Sequence, residues 1–174
     1  VAQAAARHPA TDASGAPSAR MQATTIDLLD QAGGVVRAVA MDGRTAYVGI
    51  GQRLEVYDVS SPTDPRRIGR SNLLPAPPDD LARVGDHLLV IAGTLVVVHV
   101  ADPAAPTIVW NVDVIQQARA VAVSGTRAYV LYRRALAVLD VTTPARPRLV
   151  GTLVGEGDSV VADGNLVCVG VFDD

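Results

Sequence analysis

Lysine is absent from this 174-residue chain, so all 15 basic residues are arginine. Glutamate is nearly absent: of 18 acidic residues, only Glu55 and Glu156 are not aspartate. Aromatic residues make up 3% of the chain, and Cys168 is the one cysteine. Each shortage excludes something. Without Lys and with so little Glu, the chain lacks the usual surface helix formers, which excludes many-helix bundles and coiled coils. A lone cysteine cannot form an intrachain disulfide, and this leaves the compartment open. A net charge of −3 provides no basic footprint for nucleic acid or for anionic lipid. No apolar run reaches the roughly 18 residues that a membrane-spanning helix needs. The chain contains no Gly-rich phosphate loop, no Gly-x-Ser-x-Gly elbow and no calcium loop. Its three histidines, His8, His87 and His99, are scattered without zinc-ligand spacing.

What the chain does have is Val and Ala. Hydrophobic residues reach 49%, a composition that suits strands. The length suits one domain with a real core. Residues 1–23 are rich in Ala, Ser and Pro and show no apolar periodicity, so they read as an extended arm. Such an arm lies along its own domain or on a partner. Its opening, Val1-Ala2-Gln3-Ala4-Ala5-Ala6, looks like sequence just beyond a signal-peptide cleavage site, which reads as export.

Beyond the arm the chain repeats. One segment runs Leu54-Glu55-Val56-Tyr57-Asp58-Val59-Ser60-Ser61-Pro62-Thr63-Asp64-Pro65. Its counterparts run from Leu95 to Pro106 and from Leu136 to Pro147. Pro62, Pro103 and Pro144 stand 41 residues apart, as do Pro65, Pro106 and Pro147. Chance does not hold a spacing over twelve columns. A turn glycine recurs upstream of each segment, at Gly43, Gly85 and Gly125, and again at Gly164.

Each unit holds four runs of strand length. In the third they are 120–123, 127–132, 136–141 and 148–154. Hairpin-sized connections separate the first three. The Pro-x-x-Pro stretch precedes the fourth, since proline cannot donate to a ladder. Four antiparallel strands per repeat of about 41 residues define a β-propeller blade. The expectation is all-β: blades at 35–74, 78–114 and 117–155, then a partial blade at 158–174. The first strand of each unit is apolar on both faces and belongs innermost; the fourth is more polar and belongs on the rim. Thr25-Ile26-Asp27-Leu28-Leu29, within 24–34, takes the place of an outer strand. An open ring would expose apolar edges. We therefore expect closure by further blades beyond Asp174, by another copy, or by a partner.

The segments 54–58, 95–99 and 136–140, each followed by Val-x-x-Pro-x-x-Pro, resemble the LVIVD-repeat family. Ala-Tyr-Val at 46–48 and 128–130 fits it too, and the resemblance covers roughly residues 36 to 172. It implies a β-propeller of exported or surface-attached bacterial and archaeal proteins. It implies no catalytic residues.

Several columns carry polar residues. Asp58, His99 and Asp140 share one, where a carboxylate ending a strand caps the backbone N–H groups of the next turn. Arg37, Asp79, Arg119 and Asp158 each stand six residues before a turn glycine. That column lies near a channel mouth, where adjacent blades can pair Arg with Asp. Arg83 is expected to point into the channel. Cys168, in the column of Val48, Val90 and Val130, is expected to be a small core residue. Trp110 is expected to pack on the rim or to anchor a contact. No catalytic, cofactor-binding or metal-binding residue is assigned. The reading is a non-enzymatic, extracytoplasmic interaction or scaffold module within a larger chain or assembly. The alternative is a ligand-binding or catalytic propeller with its site at the channel mouth.

Overall fold

A computed structural model describes residues 35–171, apart from the side chains at 113 and 114. The arm, His8, the 24–34 segment and residues 172–174 lie outside the described residues. The first sheet runs β1 (Val36–Asp42), β2 (Thr45–Ile50), β3 (Arg53–Asp58) and β4 (Arg66–Arg70). The second runs β5 (Asp80–Val84), β6 (His87–Ile91), β7 (Thr94–His99) and β8 (Thr107–Gln116). The third runs β9 (Ala118–Ser124), β10 (Arg127–Tyr132), β11 (Ala135–Asp140) and β12 (Arg148–Val154). A hairpin, β13 (Ser159–Asp163) and β14 (Leu166–Gly170), follows. Each full sheet is an antiparallel meander in chain order, as the repeat requires. Among the described residues no helix is long and apolar enough to cross a membrane.

Local sequence explains the connections. Gly43 takes φ of 56° in the turn between β1 and β2, and the other three turn glycines match it. These are the positive φ values that a tight hairpin needs. The first proline of each Pro-x-x-Pro sits second in a turn closed by Asp64 N to Ser61 O, Ala105 N to Asp102 O and Arg146 N to Thr143 O. Proline is favoured there because its φ is already set.

The innermost strands contact one another in series, β1 with β5, β5 with β9 and β9 with β13. Side chains alternate between the two faces of each blade. In the second blade, Leu88, Val90, Val96 and Val98 join Ala38, Tyr47, Leu54 and Val56 of the first. Their neighbours Leu89, Ile91, Leu95 and Val97 join Val121, Ala128, Val130 and Leu139 of the third. This sheet is covered on both sides, so its strands read as continuous apolar runs instead of alternating ones. Each such side chain contributes about 1.5–3 kcal/mol relative to exposure.

Blade 1 differs on the face turned away from blade 2. Val39 is 60% exposed, whereas its counterparts Leu81, Val121 and Val160 are 7%, 5% and 8% exposed against the preceding blade. Beside it Met41 is also exposed. At the other end of the row, Val161 of β13 is exposed in the column where Ala40, Ala82 and Ala122 pack toward the following blade.

Candidate functional site

The charged column before the turn glycines ties neighbouring blades at one mouth of the channel. Arg37 Nη1 lies 2.9 Å from Asp79 Oδ1, and Arg119 Nη1 lies 3.0 Å from Asp158 Oδ1. Each arginine begins one inner strand, and its acid precedes the next. The opposite ends of the inner strands carry a further tie. Arg83 Nη2 lies 2.8 Å from Asp42 Oδ2, so its guanidinium bonds blade 1 at the rim of the other mouth. Arg83 is thus a cross-blade clamp. The expectation that it points into the channel did not count the carboxylate beside the Gly43 turn. All three pairs are substantially exposed, and such pairs are worth at most about 1 kcal/mol each. They fix register more than they stabilise.

Asp80 makes a more buried tie. Its Oδ2 accepts from the Val121 N–H of blade 3 at 2.8 Å, and its Oδ1 accepts from its own neighbour, Leu81 N–H, at 2.8 Å. Burial pushes its carboxyl above the usual range, and the two N–H donors pull against that shift. Sequence reasoning missed Asp80. The available signal was an acid in a column of small residues, Ala38, Ala120 and Ser159.

The strand-end column behaves as a set of turn caps. Asp58 Oδ1 accepts from Ser60 N–H at 2.8 Å, and Asp140 Oδ1 accepts from Thr142 N–H at 2.9 Å and from the Thr142 hydroxyl. These hydrogen bonds hold both carboxyls below the ordinary range; for Asp140 the Thr142 hydroxyl leads, and Arg127 adds to the shift. In blade 2, His99 takes this place, and Asp102 caps instead, accepting from Ala104 N–H at 3.0 Å. His99 stands opposite His87 across the ladder, their ring centroids 4.9 Å apart. The same cross-strand site in blade 3 is an ion pair, with Arg127 Nη1 2.8 Å from Asp140 Oδ2. Burial, and then the neighbouring His99, hold the His87 imidazole below its ordinary value.

Two other expectations resolve differently. Trp110 packs against the core between blades 2 and 3, with the Arg146 guanidinium 4.9 Å over its ring. This is rim packing with a cation–π contact. Cys168 is exposed and free, not a core residue. The β14 register pairs Val167 with Ala162 and Leu166 with Asp163. In blade 3, Ala128 pairs with Val123 and Arg127 with Ser124. Cys168 therefore shares a column with Tyr47, Leu89 and Tyr129, one residue away from the expected one. That column faces the following blade.

Glu55 was also missed. It is buried on the open face of blade 1, beneath the Tyr57 hydroxyl, which donates to it at 2.8 Å. Arg67 and Arg70 lie 3.3 and 3.5 Å from its Oε1. Val96 and Ala137 fill this column in the other blades, so an ionic cluster replaces apolar packing here.

Four-stranded meanders, set side by side with their first strands innermost, make this a β-propeller architecture. Solved structures agree on the fold. The computationally designed Ika4 protein superposes with a TM-score of 0.63 at 14% identity, covering 82% of this chain and 89% of that one. The designed Ika8 protein gives 0.60 at 15%, covering 78% of this chain and 42% of that one. No curated protein matches the chain. The LVIVD repeat matches three times, at residues 33–72, 79–114 and 116–153. The chain belongs to the LVIVD-repeat family.

Proposed function

We propose that this chain is a non-enzymatic interaction module that works outside the cytoplasm. On this reading its two end faces dock further blades, from the same polypeptide or from another. The Val39 column carries the reading. One position packs between blades three times and stands open once, on a face that is apolar at Val39 and Met41. Exposed apolar patches of this kind mark contact surfaces, and open strand edges are otherwise an aggregation hazard. The uses found for the polar columns support the non-enzymatic part: capping turns and tying blades. The extracytoplasmic part is supported by the export that the family resemblance implies.

Cys168 is a built-in reporter, because it lies on the open face of β14 with Val161 directly opposite it across the hairpin. The test is maleimide labelling of the intact protein purified from its source, compared with the isolated 174-residue chain. Docking predicts at least tenfold slower labelling in the intact protein. Val161→Asp on the same face should restore fast labelling. Equal, fast labelling in both proteins would overturn the reading.

A further inference from the structure

The mouth that carries Arg37 and Arg119 is cut by grooves. Each lies between the turn joining the second and third strands of a blade and the linker into the next blade. Two of these grooves are equivalent by the repeat, yet they differ in charge. In the groove of blade 3, Arg134 Nε lies 2.7 Å from Glu156 Oε1, and Arg119 is paired with Asp158, so acids in its own walls pair with two of its three arginines, Arg133 being the third. In the groove of blade 1, Pro77 stands in the Glu156 column; Arg37 is paired with Asp79, as Arg119 is with Asp158, and the walls also carry Arg53 and Arg70. Among the described residues lining it there is no carboxylate. Its volume is about 670 Å³, against about 230 Å³ for the other. That falls in the range of small-molecule sites, about 300–1,000 Å³.

The blade 1 groove is also rigidly built. The Arg53 guanidinium donates to Ser71 O at 2.7 Å, and the buried Ser71 hydroxyl accepts from Leu54 N–H at 3.0 Å. Leu74 N–H bonds Gln52 O at 2.9 Å, which ties the linker to the turn. Pro78 rests on Gly49 so closely that a Cβ there would lie 2.7 Å from the proline. Arg53 is therefore held in place before any ligand arrives, which reduces the ordering cost of binding. Arg70 touches Glu55 only at 3.5 Å through Nε, and Glu55 is shared with Arg67. Ile50, Leu73 and Pro77 provide an apolar wall beside these cations.

We propose that this groove binds a small organic anion. Its carboxylate or phosphate group sits on Arg53 and Arg70, and its apolar body lies against Ile50, Leu73 and Pro77. The guanidinium fork matches either oxyanion, and the wall selects for the apolar body. The groove adjoins the open face of blade 1, where Arg70 lies over Glu55. Anion binding is read on the isolated chain, however, and docking on the face of β14, so either proposal can fail alone.

The test is an NMR titration of the ¹⁵N-labelled 174-residue chain with phenyl phosphate and with benzoate. Saturable shifts are expected at the Gln52, Arg53 and Leu73 amides, and the tighter of the two probes identifies the preferred anionic group. Inorganic phosphate should bind more weakly, and benzyl alcohol should not bind at matched concentration. Arg70→Gln, an exposed change, and Arg53→Gln should each weaken binding about tenfold. Arg134→Gln, in the compensated groove, should leave affinity unchanged. Amide dispersion in each variant checks the fold, and Arg70→Gln suffices if Arg53→Gln fails to fold. Three results would overturn the proposal: no saturable shift at about 10 mM probe, unchanged affinity in Arg70→Gln, or equal shifts around Arg119 and Arg134.

Discussion

Gly69 and Gly151 occupy one column of the repeat, at the middle of the fourth strand, and Trp110 lies between them in blade 2. Their surroundings differ in a way that sets up a controlled experiment. A Cβ built on Gly69 would stand 2.0 Å from Pro103 O and 3.0 Å from Ala104 Cα, both backbone atoms of the next blade's proline turn. That is 1.0 Å under the 3.0 Å that real Cβ contacts essentially never pass. A Cβ on Gly151 would meet only Val138 Cβ at 3.9 Å. Gly69→Ala must therefore push the blade 2 turn outward, and overpacking of this kind costs about 1–3 kcal/mol or more. Gly151→Ala meets no such obstacle. It restricts the unfolded chain and gains about 0.4–1 kcal/mol. The predicted gap between the two variants is thus about 1.4–4 kcal/mol. At about 2–4 °C per kcal/mol for a chain of this size, that is roughly 3–16 °C in Tm. Thermal melts followed by circular dichroism read it directly. If the two variants melt within about 1 °C of each other, the rim of blade 1 does not press on the Pro103 turn, and the reasoning fails.

Two predictions concern titratable groups. Asp80→Ala leaves the Val121 N–H without its acceptor and should cost about 1–3 kcal/mol. The Asp80 pKa is raised above its unfolded value of 3.8, so the folded state binds the proton more tightly. The stability difference between wild type and Asp80→Ala should therefore grow as pH falls through the raised pKa toward 3.8; urea titrations at several pH values check this, and a flat difference refutes it. His87 is lowered below 6.5, so its contribution is full above pH 6.5 and is lost as pH falls below that value. His99→Asp recreates the cation–carboxylate pairing of Arg127 and Asp140, and should raise the His87 pKa and reverse that slope. The readout is Tm from about pH 7.5 to 5; an unchanged slope in His99→Asp removes His99 from the account.

Much of the fold was legible because it repeats. A fixed 41-residue spacing of prolines placed the connection between the third and fourth strands of each blade, and turn glycines placed every first hairpin. The ion pairs of Arg37 with Asp79 and of Arg119 with Asp158 followed from one column and the rule that neighbouring blades meet there. Cys168 shows where such reading breaks. Leu166 opens β14 in a column that is polar elsewhere, Thr45, His87 and Arg127. Aligning on hydrophobicity therefore shifted the strand by one residue. A strand has a side-chain period of two, so that slip moved Cys168 to the opposite face. The ties from Asp80 to Val121 and from Arg83 to Asp42 were illegible for another reason. Both cross between blades, and their partners share no column.

The repeat also separates what the fold needs from what one position uses. Caps at Asp58 and Asp140, turn glycines and the apolar inner strands recur because every blade must solve the same backbone problem. Features that appear once have no such excuse. The blade 1 cluster of Glu55 beneath Arg67 and Arg70 replaces Val96 and Ala137, which pack without any ionic desolvation cost. Pairs of this kind are weak evidence for stability, since apolar residues of similar volume serve as well or better. The same Arg70 lines the groove whose other cations are Arg37 and Arg53. A buried acid that holds a guanidinium at a groove wall has a positional use that Val or Ala could not supply. The departures from the repeat in blade 1 thus converge on one surface, and that surface, more than the shared columns, is where the specific role of this chain is to be sought.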